Sequence, residues 1–169
     1  MELQQMLLDR QLDIALAYKS PISDERIDSR LLFENRLCLI GRTEKLEGCP
    51  NPVSVEALSN YALALPFKGQ QARDRLEAVL FGQGIDLDIQ VENNSIHAIL
   101  ELVKSSPLLT ILSGETVQHI SGLTAIPIDS HESRMLGCIH FLKGVYQKKA
   151  TQTFIQILVE NNRYMSLFG

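Results

Sequence analysis

The stretch of residues 91–112, which reads VENNSIHAILELVKSSPLLTIL, restricts the possible folds of this chain more than any other segment. Residues 87–91 alternate between apolar and polar side chains, as in a half-buried strand, and residues 92–95 then favour a turn and a helix N-cap. The predicted helix carries one apolar stripe, spaced i, i+3, i+4 and i+7, formed by Ile96, Ile99, Leu100 and Val103. Residues 105–107 end this helix, and the apolar run 108–112 is typical of a strand buried in a parallel sheet. The stretch is therefore a strand–helix–strand unit.

Strands and helices alternate in the same way along the rest of the chain. Strands are predicted at residues 12–17, 31–42, 61–65, 87–91, 108–112, 123–128 and 136–142, and helices at 54–58, between 70 and 82, and at 96–104, 115–120 and 148–161. This order predicts an α/β fold with parallel sheets and helices on both faces. The composition of the connections suggests two lobes, the second entered near residues 31–42 and left near residues 136–142.

Two further expectations concern the regions near the termini. Residues 22–30 are polar and are expected to form a loop. The closing helix is expected to turn three apolar side chains inward, namely Phe154, Ile157 and Leu158. Residues 163–169 are expected to fray.

Charge and composition narrow the possible functions. The 169 residues are 45% hydrophobic and carry a net charge of −4, which provides no cationic field for a nucleic-acid backbone. No apolar run approaches the roughly 20 residues of a membrane span, and the first residues, MELQQMLLDRQ, lack the regions of a secretory signal. We therefore expect a cytoplasmic protein without a membrane partner, in which Cys38, Cys49 and Cys138 are reduced thiols.

The common signatures of catalysis are absent from the sequence. It contains no G-x-S-x-G, P-loop, G-x-G-x-x-G or H-E-x-x-H motif. Four histidines lack carboxylate or thiolate partners at metal-ligand spacing, namely His97, His119, His131 and His140. Surface or core imidazoles explain them better than a metal site. We expect no enzyme activity, no metal and no cofactor.

Three polar breaks each follow a predicted buried strand, at residues 66–70, 93–95 and 113–114. The carboxyl ends of parallel strands meet at one edge of a sheet, where ligands bind in open α/β folds. Each break also has a simpler explanation, because residues 93–95 and 113–114 can cap helices. A nucleophile turn at Ser113 would have no neighbouring base. The coincidence of three breaks at one edge favours a ligand site for the group.

Four segments of the chain together resemble a known family. LLDRQLDIALAY, LCLIGR, VSVEAL and VENNSIHAILELVKSSPLLTILSG resemble, in order and spacing, the regulatory domain of LysR-type transcriptional regulators. The resemblance covers nearly the whole chain. Within the family, the pattern N-S-I-x-A-x-L-E-L at residues 94–102 is similar to that of the cyanate operon regulators, which are the suggested branch.

The resemblance implies a type 2 periplasmic-binding-protein-like fold of two α/β subdomains joined by two crossing strands. Residues 1–40 and 141–169 would form an incomplete subdomain I, and residues 41–140 would form subdomain II. By the same comparison, the chain lacks the family's winged helix-turn-helix, which would be its only route to DNA. It also lacks the first strand, first helix and second strand of subdomain I. The Ser or Thr that contacts the inducer from the loop after the first strand is therefore missing as well. Residues 105–108 replace a Gly-x-Gly that the family often has.

The resemblance also implies a site for a small-molecule inducer between the subdomains. Its expected lining is Ala17, Tyr18, Pro66, Phe67, Lys68, Gly69, Gln70, Asn94, Ser95 and, less centrally, Ser113. Helix-terminal N–H groups, hydroxyls and amides suit a small polar or anionic effector, while a solvated Lys68 is the alternative to a ligand contact. The effector would favour one relative orientation of the subdomains and change how a homodimer or homotetramer presents its DNA-binding heads.

Two other classes of protein stay open at this point. A solute-binding protein of a transport system would share the fold and the site, but it should carry an export signal. A small cytosolic α/β enzyme would need a pair of titrating residues that the sequence does not show.

Overall fold

The computed structural model describes residues 2–19 and 23–165, without the side chains of residues 2 and 161–165. The chain divides into two compact units. Unit 1 comprises Met1–Glu34 and Leu136–Gly169, and unit 2 comprises Asn35–Met135. In the described part of the chain, no helix has the length and apolar character needed to cross a membrane.

The helices are α1 (Glu2–Leu8), α2 (Thr43–Leu46), α3 (Gln71–Leu80), α4 (Ile96–Ser105) and α5 (Lys149–Met165). The strands are β1 (Ala15–Tyr18), β2 (Ile27–Arg42), β3 (Ala62–Pro66), β4 (Asp88–Asn93), β5 (Thr110–Ser113), β6 (Leu123–Pro127) and β7 (Arg134–Leu142). Short 3₁₀ turns lie at Glu56–Asn60, Gly114–Val117 and His131–Ser133. The mixed α/β character predicted from the sequence is confirmed.

Unit 1 has a small sheet covered by helices. Strand β1 pairs antiparallel with β7, so that Ala15 lies opposite His140 and Tyr18 opposite Gly137. Two small apolar clusters stabilise the unit through burial of aliphatic surface. One contains Leu7, Ala15 and Ile27, and the other contains Ile139, Phe141 and Ile155.

An aromatic side chain replaces the missing side chain of Gly137 in this sheet. The ring of Phe33 lies where a Cβ atom on Gly137 would have to be placed. The same ring makes an edge-to-face contact with Tyr18, with 5.8 Å between centroids and an interplanar angle of 87°. Glycine at 137 is therefore required by close packing.

His140 is a buried imidazole that joins three strands of unit 1. Its Nε2 lies 3.2 Å from the Ala17 carbonyl oxygen, and its Nδ1 lies 2.7 Å from the Ser29 hydroxyl. Because a carbonyl oxygen only accepts, Nε2 carries a proton and donates to Ala17, while Nδ1 lies within hydrogen-bond distance of the Ser29 hydroxyl. The side chains of His97, His119 and His131 are exposed.

Strand pairing in unit 2 is only partly parallel, although parallel sheets were expected. β3 and β4 are parallel, and isolated parallel bridges join Leu63 to Leu109 and Val53 to Ile128. However, β5 and β6 pair antiparallel with β2, as β1 does with β7. The prediction of parallel sheets throughout was wrong because helix–strand alternation describes consecutive elements, whereas β2 pairs with strands distant in sequence.

Helix α4 packs its predicted face into the core of unit 2. Ile99, Leu100 and Val103 are buried against Ile40, Ala64 and Leu112, and the side chain of Ile96 is partly buried. In α3, the apolar positions Leu76 and Val79 are buried, and Leu80 is partly buried. The inward face of the central helix is confirmed.

The segments near the termini differ from the expectations. Among the described side chains of α5, Ile155 is buried, whereas Phe154 and Ile157 are 44% and 48% exposed, so the predicted inward face was wrong except for the half-buried Leu158. Five apolar residues among positions 154–159 leave two faces compatible with the sequence pattern. Strand β2 already begins at Ile27, within the predicted loop. Of residues 163–169, which are expected to fray, residues 163–165 instead continue helix α5, and residues 166–169 lie outside the described residues.

Candidate functional site

Two polar loops of unit 2 lie side by side at the carboxyl ends of parallel strands. Residues 67–70 connect β3 to α3, and residues 94–95 connect β4 to α4. In the β3–β4 pairing Pro66 lies opposite Asn93, so that both strands end at the same level. The predicted convergence of these two polar breaks is present in the fold.

Hydrogen bonds join the two loops directly. The Gln70 side chain donates from Nε2 to the Asn94 carbonyl oxygen at 3.0 Å, and the Phe67 N–H donates to the Asn93 carbonyl oxygen at 3.3 Å. Gln70 is the N-cap residue of α3, but its side chain does not cap that helix because it is used in this contact. The contact therefore fixes the start of α3 against the start of α4.

Ser95 does cap α4. Its Oγ accepts from the Ala98 N–H at 3.3 Å, and its own N–H donates to Asn93 Oδ1 at 2.8 Å. The capping explanation for residues 93–95 is therefore confirmed for Ser95. It does not account for the first N–H groups of α3 and α4, which have no intrahelical acceptor and lie at the same edge. Such N–H groups and the positive end of the helix dipole favour anions.

Side chains around these helix starts remain available to a ligand. Phe67, Lys68, Gly69, Asn94 and Ser95 are exposed, whereas Pro66 is buried. Gly69 has a φ of +88°, which a residue with a side chain rarely adopts, and its N–H donates to Asp74 Oδ1 at 2.9 Å. Within the described part of the chain, the Lys68 ammonium group forms no ion pair.

Ser113 ends β5, the third strand that reaches this edge. Leu109, just before β5, bridges Leu63 in the parallel sense, so β5 and β3 run in the same direction. The Ser113 hydroxyl oxygen is buried and has no hydrogen-bond partner among the described residues. A buried hydroxyl without a partner is unfavourable unless a ligand or water satisfies it. No hydrogen bond joins Ser113 to either loop in the described structure.

The two remaining predicted site residues belong to unit 1. Ala17 is partly buried in β1, and its carbonyl oxygen accepts from His140 Nε2. Tyr18 ends the strand, with its ring against Phe33. Both residues are therefore held firmly by their own unit.

Arg73 is a residue of this region that the sequence did not single out. Its side chain is 4% exposed and makes two ion pairs, from Nη1 to Glu92 Oε1 at 2.6 Å and from Nε to Glu77 Oε1 at 2.8 Å. Nη1 also donates to the Pro66 carbonyl oxygen at 3.3 Å. The pair of Arg73 with Glu77 has the i, i+4 spacing common on helices, whereas the contact with Glu92 depends on the fold.

Other reactive groups do not gather here. Among the described residues, no group of three His, Cys, Asp or Glu side chains is arranged to hold a metal ion. Burial raises the pKa of the Cys38 thiol to about 11, and burial also raises the pKa of the Cys138 thiol. These two thiols are poor nucleophiles near neutral pH.

The chain is similar to a known protein family and to several solved structures. The family model described as the LysR substrate binding domain matches residues 1–163 of the chain. The regulatory domain of CcmR from Synechocystis PCC6803, in complex with 2-PG, superposes with a TM-score of 0.78 at 22% identity, covering 97% of this chain and 80% of that one.

Two further structures show the same fold. The effector binding domain of QuiR in complex with shikimate gives a TM-score of 0.73 at 13% identity, covering 96% of this chain and 78% of that one. Full-length CbnR with its target DNA gives 0.71 at 15% identity, covering 95% of this chain. The chain spans 54% of full-length CbnR.

Proposed function

Since the chain belongs to the family of LysR substrate-binding domains, we propose that its function is that of the effector-binding regulatory domain of a LysR-type transcriptional regulator. The observation that carries the proposal is the pair of helix N-termini, α3 and α4, joined at the carboxyl ends of parallel strands by the Gln70–Asn94 hydrogen bond. This is the position at which open α/β folds bind ligands.

The effector is a small polar or anionic molecule. Two helix starts supply N–H donors and a favourable dipole, and Lys68 supplies a positive charge that forms no ion pair with the described residues. The exposed ring of Phe67 adds an apolar wall. Bound 2-PG and shikimate in the CcmR and QuiR domains support a small-molecule effector for this chain as well.

The proposed site is centred on the polar loops of unit 2. Unit 2 contributes Pro66, Phe67, Lys68, Gly69, Gln70, Asn94 and Ser95, with the unsatisfied hydroxyl of Ser113 at the same edge. Ala17 and Tyr18, which belong to unit 1, are proposed as effector contacts on the family resemblance alone. In family terms, unit 2 corresponds to subdomain II and unit 1 to subdomain I.

The full-length protein would act in the cytoplasm as a homodimer or homotetramer and bind DNA through a separate domain. The DNA complex of CbnR, of which this chain spans about half, supports that part of the proposal. Effector binding would shift the population of conformations and so alter transcription, without any enzymatic step. Residues 94–102 support the finer assignment to the cyanate operon branch.

Titration of the isotopically labelled chain with anions tests the site. Inorganic phosphate and shikimate, each added to saturation and followed by amide NMR shifts, should move the N–H signals of Gln71, Ala72, Ile96 and His97. Lys68→Gln should weaken binding roughly two- to fivefold, the range for an exposed charge.

Lys104→Gln provides a matched control. It removes the same charge from the opposite end of α4, where Lys104 pairs with Glu101 at 2.8 Å. Binding by this variant should equal that of the parent chain. Equal loss in both variants would indicate only a general charge effect, and shifts confined to other parts of the chain would refute the site.

A further inference from the structure

Arg73 is a buried cation at the base of the two polar loops. Its side chain is only 4% exposed, although it lies in the first turn of α3, where the helix dipole disfavours positive charge. A buried charge persists only when it is paired and hydrogen-bonded. The two carboxylates of Glu77 and Glu92 and the Pro66 carbonyl oxygen provide these partners.

The partners of Arg73 are the residues that lead into the loops. Pro66 immediately precedes the loop at residues 67–70, and Glu92 lies two positions before Asn94. The guanidinium atom Nη1 contacts both of them, at 3.3 and 2.6 Å. One nitrogen atom thus holds the ends of β3 and β4 together from the interior side.

Glu92 is an acidic group close to this edge, as is Asp74, whose Oδ1 accepts from the Gly69 N–H at 2.9 Å. The Glu92 side chain is 39% exposed and lies three positions before Ser95, the N-cap of α4. Carboxylates are attracted to helix N-termini, and like charges repel. Without Arg73, the Glu92 carboxylate could compete with an anionic ligand for the helix N–H groups or repel it.

We infer that Arg73 is a positioning residue of the effector site: it holds the two loops in register and neutralises Glu92, so that the helix starts accept an anionic group of the effector. This inference rests on the proposed function. It names the chemical class of the ligand group, a carboxylate or phosphate, and the residue that keeps the chain's own carboxylate away from it.

Four variants distinguish positioning from a purely structural role. Phosphate affinity is measured by amide NMR shifts for Arg73→Lys, Arg73→Met, Glu92→Gln and the double variant Arg73→Met/Glu92→Gln, with thermal midpoints recorded for each. Arg73→Met should weaken phosphate binding about tenfold, because Glu92 is left without its partner. Glu92→Gln should bind at least as tightly as the parent chain.

The double variant and the conservative variant provide the decisive comparisons. Removing the Glu92 charge from Arg73→Met should restore most of the phosphate affinity. Arg73→Lys keeps the charge but loses the planar guanidinium group, so its affinity should lie between those of the parent chain and Arg73→Met. Arg73→Lys and Glu92→Gln also keep the test decisive if Arg73→Met does not fold.

Val79→Ala controls for the stability of α3. Val79 is 2% exposed on the same helix and contacts neither loop through a hydrogen bond. It should lower the thermal midpoint while leaving phosphate affinity unchanged. If affinity instead follows the thermal midpoint in all variants, Arg73 is only structural. If the parent chain gives no shifts at the starts of α3 and α4, the proposed site itself fails, whereas parent-like affinity in Arg73→Met refutes this inference alone.

Discussion

Gln70 reaches 24 residues along the sequence to donate its side-chain N–H to the carbonyl oxygen of Asn94 at 3.0 Å. The bond joins the two helix starts that we assign to effector binding. Because the contact is exposed to solvent, its effect on stability should be small, and its main consequence is the spacing of two sets of N–H donors. Affinity and stability can therefore be separated at this position.

Gln70→Leu should reduce affinity for an anionic effector by about 1–3 kcal/mol and lower the free energy of unfolding by only about 0.5–1.5 kcal/mol. The physical reason is that the two sets of helix N–H donors are no longer held at a fixed spacing and that the ligand loses a polar neighbour. Calorimetric titration and thermal unfolding measure the two quantities. Gln71→Leu is the control, because Gln71 is the adjacent exposed residue and its side chain forms no hydrogen bond to the loop at residues 94–95 in the described structure. Equal affinity of both variants would contradict the assignment of Gln70.

Ser95→Ala should remove the cap of α4, which accepts from the Ala98 N–H at 3.3 Å, and cost about 0.5–2 kcal/mol of stability. If Ser95 also contacts the effector, the binding free energy should weaken by about 1–3 kcal/mol in addition to this loss of stability. Thermal unfolding and calorimetric titration of the same samples distinguish the two roles. Ser54→Ala is the matched control, since Ser54 accepts from the Ala57 N–H at 3.3 Å elsewhere in unit 2. Unchanged affinity in Ser95→Ala would leave Ser95 as a cap only.

Leu100→Ala should destabilise the chain by about 2–5 kcal/mol, because Leu100 packs into the core of unit 2 from the inward face of α4. Denaturant unfolding at constant slope measures this loss. His97→Ala on the exposed face of the same helix should stay within about 0.5 kcal/mol of the parent chain. An unchanged unfolding midpoint in Leu100→Ala would show that the core is packed differently.

Thiol reactivity should follow burial. Because the pKa of Cys38 is raised to about 11, its thiolate is scarce at pH 8 and becomes abundant only as the pH approaches that value. Cys138 is also buried with a raised pKa, whereas Cys49 is half-buried. Iodoacetamide at pH 8 should therefore modify Cys49 first, and Cys49→Ser should abolish the fast phase. Fast labelling of Cys38 in the folded chain would contradict its burial.

The sequence predicted the elements of unit 2 well because local signals agree with the fold there. In α4, apolar residues occupy a single stripe, and Ser95 stands at a natural cap position, so both the face and the start of the helix are evident. In α5, apolar residues at positions 154–159 surround much of the helix, and only packing against Ile139 and Phe141 selects Ile155. Strand direction was missed for a similar reason, since the partners of β2 lie far along the chain.

In the candidate site as well, features set by neighbouring residues were predicted, whereas a contact between residues distant in sequence was not. Polar breaks after buried strands marked residues 66–70 and 93–95, and the parallel pairing of β3 with β4 explains why they meet. Arg73 was missed because a charged side chain is ordinarily exposed, although Arg73 stands three positions before Leu76 on the buried side of α3. Its buried charge is paired with Glu92, which is 19 residues away and belongs to another element.

The packing of Phe33 on Gly137 constrains how this sequence can diverge. The ring occupies the volume that any side chain at 137 would need, so the two positions cannot change independently. A relative with a larger residue opposite Tyr18 should carry a small residue in place of Phe33, and a relative that keeps the aromatic ring should keep glycine. Substitutions at these two positions should therefore be inherited as pairs, and chimeras that combine one position from each lineage should fold poorly although both parents are stable.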